Sequence, residues 1–162
     1  MPWEQAGALF IAGTTAYAAV HAVRAGRGET VVVSGAAGGV GSLVVQLARH
    51  AGATVLGLAS EPHHAWLTRH GAIPLTYGEG VGERIRAAAD GSIDFAGAAK
   101  HGTKADGCAE AASADVLREL ATLIADGDLE IPIARVHRLD EVRDAFRELE
   151  RRHTNGKIVL RP

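Results

Sequence analysis

Cysteine is almost missing from this chain. Cys108 is the only one among 162 residues, which excludes an internal disulfide and any zinc cluster built on cysteines. Aromatic residues make up only 4% of the sequence, so aliphatic side chains and alanine must fill the interior. A surplus of either charge is lacking too: 17 Lys and Arg stand against 19 Asp and Glu, a net charge of −2. That balance leaves no electrostatic footprint for nucleic acid or for an anionic membrane. No apolar run reaches the ~18 residues that would span a bilayer. The start, "MPWEQAGALF", lacks the basic region of a secretion signal. These absences predict a cytoplasmic globular chain forming one domain, 1–162, able to bury a core without disulfide or metal.

What is present is an alternation of strand and helix signals. Residues 3–24 read as a helix, with Glu4 at its positive end and Gly7 and Gly13 marking close packing. "TVVVSG" follows as a buried strand, then a helix over 39–51 in which Val40, Val44, Leu47 and Ala48 recur at helical spacing. Gly52 sits where a C-terminal cap belongs. "ATVLGLAS" is a second strand, "HHAWLTRH" a helix ending at Gly71, and "AIPLTY" a third, short strand whose Pro74 suggests an edge. "GERIRAAAD" is a further helix. The pattern predicts an α/β fold with a parallel sheet and helices on both faces.

The rhythm falters over residues 90–113, where only "SIDFA" offers a strand. A helix resumes after Ser113, with Val116, Leu117, Leu120, Leu123 and Ile124 on its apolar face and Gly127 at its end. "LEIPIARV" is extended. Asp140 is placed to cap a last helix with Val142, Phe146 and Leu149 inward, and "NGKIVL" closes the chain as a turn and strand.

The chemistry concentrates in "VVVSGAAGGVGS", residues 31–42. A diphosphate needs closely spaced donors with no side chains in the way. A strand, a tight turn and the free N–H groups of a helix start supply them. The fingerprint reads Ala36-Ala37-Gly38-Gly39-Val40-Gly41, with Ala36 in place of the first glycine of G-x-G-x-x-G. Gly38 lets the backbone approach a pyrophosphate, and Gly41 lets the helix pack on the strand. The flanking strand and helix satisfy the context such a motif requires. The competing reading is a tight turn with no ligand.

The end of the second strand bears on which cofactor is held. An acid about 20 residues past the loop would bond the ribose of NAD; here the strand ends "LAS", putting Ser60 at that place and Glu61 just beyond. A hydroxyl can donate to a 2′-phosphate that a carboxylate would repel, so NADP(H) is favoured. No Lys or Arg follows at once. His63 and His64 either add hydrogen-bonding character or simply form an exposed first helical turn.

"WEQAGALFIAGTTAYAAV", "GETVVVSGAAGGVGSLVVQLARHAGATVLGLAS" and "LDEVRDAFRELERRHTNGKIVL" resemble the zinc-independent medium-chain dehydrogenases/reductases, and most of all their NADPH-dependent quinone oxidoreductases of actinobacterial type. The resemblance implies a Rossmann-type fold and hydride transfer from NADPH to a quinone or an activated C=C or C=O substrate, with the protein positioning and desolvating the partners. By position, the backbone of Gly38, Gly39, Val40 and Gly41 would hold the pyrophosphate. Thr15 would lie near the nicotinamide, and Ser60 near the 2′-phosphate. Tyr17 is a candidate proton donor or substrate contact, with packing between helix and sheet as the other reading. Lys157 is either a phosphate neighbour or a solvated turn lysine. No metal ligand is implied.

The chain departs from that family in two ways. It begins just after the point where a GroES-like substrate domain would end. Also, "RIRAAADG" passes almost directly into "SIDFAGAAKHGTKADG", which resembles the tail of a fifth-strand region. One β-α-β unit, about 40 residues, is thus missing, and the second nucleotide-binding half is shortened. Residues 133–162, which in the family fold back towards the substrate domain, would leave Val142, Phe146 and Leu149 uncovered, and this predicts a homodimer or a partner chain. Two other functions remain open: a nucleotide-binding module without turnover, and a repurposed cleft with Asp94, His101 and Asp106 as acid–base candidates.

Overall fold

The computed structural model describes residues 1–89, 93–96, 112–151 and 154–162, the side chains of 93–96 excepted. The β-branched run Thr30–Ser34 forms β1, buried along nearly its whole length. It alternates faces as a strand must: Val31 and Val33 enter the larger hydrophobic cluster and Val32 the smaller one. β2 (Thr54–Leu58) pairs with β1 in parallel, Thr30 opposite Thr54 and Ser34 opposite Leu58. β3 (Ile73–Leu75) lies beyond β2, and β4 (Ile93–Ala96) lies on the other side of β1, both parallel. The order β3-β2-β1-β4 is that of a Rossmann-type sheet through its fourth strand. Pro74 therefore occupies an edge strand, as the sequence suggests.

Helices cover both faces. α1 (Trp3–Ala22), α2 (Gly41–His50), α3 (His64–Arg69) and α5 (Ala114–Asp126) contribute to the larger cluster, while α4 (Val81–Ala88) places Ile85 over Val32, Leu56 and Leu58. α1 is predominantly apolar because it packs against both α2 and α5. Gly13 is the contact point: a Cβ there would lie 2.8 Å from Leu9 Cδ1 and 2.9 Å from Leu120 Cδ1. Gly7 is different. It is exposed with no atom within 4 Å of a Cβ position, so it does not mark close packing. Ser113 caps α5 by accepting from the Val116 N–H at 3.2 Å, and Gly127 ends it at φ +83°.

The last elements form a separate small layer. β5 (Ile133–Arg138) and β6 (Lys157–Arg161) make a two-stranded parallel sheet, with α6 (Val142–Glu150) between them in sequence. Three expectations change here. Asp140 does not cap α6; its carboxylate meets Arg138 Nε at 3.2 Å, and the Glu141 side chain instead accepts from the Arg138 N–H at 2.8 Å. Of the face expected inward, Phe146 is 61% and Leu149 55% exposed, while Ala145 is the buried residue of α6. Two strands give the helix too narrow a floor to cover the larger side chains. Finally, Ile93–Ala96 of "SIDFA" form β4, directly beside β1, and so take the fourth place in the sheet rather than the tail of a fifth strand. Among the described residues no strand pairs beyond β4, and the second half of the sheet is correspondingly short.

Candidate functional site

The site starts where β1 leaves the sheet. Gly35 turns the chain at φ +71°, a conformation that favours glycine, so the tight turn falls one residue before Ala36. Ala36 can then be a buried alanine, its N–H donating to the Leu58 carbonyl at 3.0 Å. The Gly35 carbonyl accepts from the Gly38 N–H at 2.8 Å and closes the turn. Gly41 opens α2 directly over this carbonyl; a Cβ there would strike the Gly35 oxygen. Among the described residues, the N–H groups of Val40 and Gly41 have no backbone carbonyl partner. They stand at the positive end of a ten-residue helix. Ser42, in the first turn, is fully buried and its hydroxyl is also without a partner among the described residues.

A lysine that sequence spacing left undecided lies against the same turn. The Gly156 N–H donates to the Ala37 carbonyl at 3.0 Å, and Gly38 and Gly156 form an isolated parallel bridge. Gly156 itself has φ +92°, and a Cβ on it would collide with Pro132. This docking lays the Lys157 side chain along Gly39: a Cβ on Gly39 would lie 2.6 Å from Lys157 Cδ and Cε. A cationic side chain therefore flanks the free N–H groups.

At the end of β2, Ser60 is half-buried in extended backbone, φ −71° and ψ 150°, ahead of a short 3₁₀ turn over Glu61–His63. Its side chain makes no capping bond. The His64 ring folds back, its Nε2 lying 3.2 Å from the Ala59 carbonyl oxygen, while His63 belongs to the 3₁₀ turn. Tyr77, just past β3, was not singled out by the sequence. Its hydroxyl accepts from the Gly35 N–H at 2.6 Å and donates to the Leu58 carbonyl at 2.9 Å.

The α1 candidates are engaged elsewhere. The Thr15 hydroxyl donates to the Ile11 carbonyl at 2.6 Å. The Tyr17 hydroxyl donates to Glu119 Oε2 at 3.1 Å, and its ring stacks on His21 with centroids 4.0 Å apart. Burial first, then the hydrogen bond and charge of Glu119, push the Tyr17 phenol above its ordinary value. Tyr17 thus ties α1 to α5. The acid–base candidates His101 and Asp106, the Asp94 side chain, and Cys108 lie outside the described residues.

A family model described as zinc-binding dehydrogenase matches residues 8–160, nearly the whole chain. This chain belongs to the zinc-binding dehydrogenase family. A Bacillus subtilis (strain 168) protein, YfmJ, named as an NADP-dependent oxidoreductase, is 54% identical over 54 residues, 33% of this chain and 16% of its own length. Polyketide synthase GfsB of Streptomyces halstedii is 51% identical over 59 residues, 36% of this chain and 1% of the synthase. The quinone oxidoreductase structure from Coxiella burnetii superposes on all of this chain with a TM-score of 0.80 and 26% identity. The chain spans 62% of that structure, so it covers only part of the medium-chain dehydrogenase/reductase fold. Zinc is implied by the family's description, but among the described residues no three His, Cys, Asp or Glu side chains are grouped to hold a metal ion. No described helix is long and apolar enough to cross a membrane.

Proposed function

We propose that this chain binds NADP(H) along the β1–α2 turn and forms the cofactor-binding part of an oxidoreductase acting on a quinone or an activated C=C or C=O substrate. The observation that carries the reading is the turn itself. The successive N–H groups of Val40 and Gly41 have no backbone carbonyl partner among the described residues at the start of α2, with Lys157 against the adjoining Gly39. Donors of this kind suit a pyrophosphate, and bonds to an anion are the stronger class.

Bound NADPH would supply the hydride. The chain's own residues bind and orient. Gly38, Gly39, Val40 and Gly41 present backbone to the pyrophosphate, and the Lys157 ammonium offsets its charge. Ser60 offers a hydroxyl to a 2′-phosphate at the end of β2, and the His64 ring lies 3.2 Å from the neighbouring Ala59 carbonyl. The relative named as NADP-dependent supports that choice over NAD. Thr15 is the proposed contact on the nicotinamide side. Tyr17 is a weaker candidate for a proton donor, because its hydroxyl already donates to Glu119. A cytoplasmic setting fits this cofactor.

The second reading, a nucleotide-binding module without turnover, is favoured by one observation. Beyond β1 the described sheet has only β4. NADPH oxidation followed by absorbance with a simple quinone separates the two. Quinone-dependent consumption of NADPH is the expected result for an enzyme. Binding without consumption would overturn turnover by this chain and leave the module.

A further inference from the structure

We infer that Tyr77 is a positioning residue for the glycine turn: its hydroxyl holds Gly35 in place and thereby sets where the N-terminus of α2 stands. The inference rests on the proposed dinucleotide site only for its consequence in binding. At Gly35 the chain departs from β1 at φ +71°, and its N–H has Tyr77 Oη as acceptor at 2.6 Å. The same hydroxyl donates to the Leu58 carbonyl at 2.9 Å, and that carbonyl also receives the Ala36 N–H at 3.0 Å. One phenol oxygen therefore joins the exits of β1 and β2, with donor and acceptor both used.

The ring does not account for this placement. Tyr77 is 47% exposed, so burial gives little reason for an aromatic side chain here, whereas the hydroxyl is fully engaged. The segment that delivers it is itself fixed. The Ala59 N–H donates to the Leu75 carbonyl at 3.0 Å, and Arg84 spans residues 76–79 by donating to the Thr76 carbonyl at 2.9 Å and the Glu79 carbonyl at 2.8 Å. Downstream, the Gly35 carbonyl closes the turn to Gly38 and lies under Gly41 without room for a methyl group. A displacement of Gly35 must therefore move both glycines that frame the free N–H groups.

Two measurements on the whole chain test this: amide hydrogen exchange of Gly35 in the free protein, and NADPH affinity by fluorescence. In Tyr77→Phe the Gly35 N–H loses its acceptor. We expect its exchange to accelerate about tenfold or more and NADPH to bind about tenfold more weakly, with the Val33 and Val45 amides unchanged. Arg84→Met keeps the hydroxyl but frees residues 76–79, and should fall between wild type and Tyr77→Phe in both readouts. Unchanged Gly35 exchange in Tyr77→Phe would overturn the inference even if affinity fell, because the tyrosine would then act on the ligand directly. If NADPH bound neither protein, the proposed function would fail, and the Gly35 exchange rate alone would still decide the role of Tyr77.

Discussion

A methyl group on Gly41 would meet the Gly35 carbonyl and lie 3.1 Å from Ala36 Cα, all backbone that cannot rotate aside. Gly41→Ala should therefore destabilise the fold by about 1–3 kcal/mol, read as a lower urea midpoint at unchanged slope. It should also weaken NADPH binding, since α2 must retreat from the turn. A fully stable variant would mean that the α2–β1 approach is looser than described. Residue spacing alone marks Gly41, because a helix that opens straight after a strand brings the two backbones together at that position. It likewise marks Gly52, Gly71 and Gly127, all at positive φ just beyond helices. Tyr77 is invisible at this level, and Lys157 stays undecided between a phosphate neighbour and a solvated turn lysine. Tyr77 reaches Gly35 across 42 positions and Lys157 reaches Gly39 from the far end of the chain, and no local pattern encodes such a meeting.

At the scale of elements, helices read from apolar spacing form where a partner layer exists. α5 buries Leu120 completely and leans Val116, Leu117, Leu123 and Ile124 on the core, as its spacing implies. α6 has equally regular spacing but, among the described residues, packs mainly on β5 and β6, and Phe146 and Leu149 remain exposed. Periodicity states which side of a helix is apolar; it does not supply a surface to cover that side. Trp3, Phe10, Ile11, Val136 and Leu139 are exposed as well. We propose that a second copy of the chain or a separate chain covers these side chains, because exposed apolar surface on this scale favours association. Light scattering should give at least twice the monomer mass, or a monomer that gains mass with a partner present. Phe146→Ser with Leu149→Ser should then lower self-association without unfolding the sheet. A monomer that persists at high concentration and captures no partner would contradict this.

At the scale of the whole molecule, the fold was legible because strand, glycine turn and helix recur in the order that a parallel sheet requires. The place of "SIDFA" was not, because four residues fix a strand's existence and not its position; its pairing with β1 does that. The resulting architecture presents an intact glycine turn at the start of α2, beside a sheet with one described strand beyond β1. We propose that this turn holds NADP(H). Fluorescence titration of NADPH, repeated with NADH and with 2′,5′-ADP as competitor, tests it most directly. We expect saturable NADPH binding that is displaced by 2′,5′-ADP and is at least about tenfold tighter than NADH binding, the difference expected from hydrogen bonds to a charged 2′-phosphate. Equal affinity for NADH would remove the role of Ser60, and no binding of either nucleotide would mean that the turn is not a dinucleotide site.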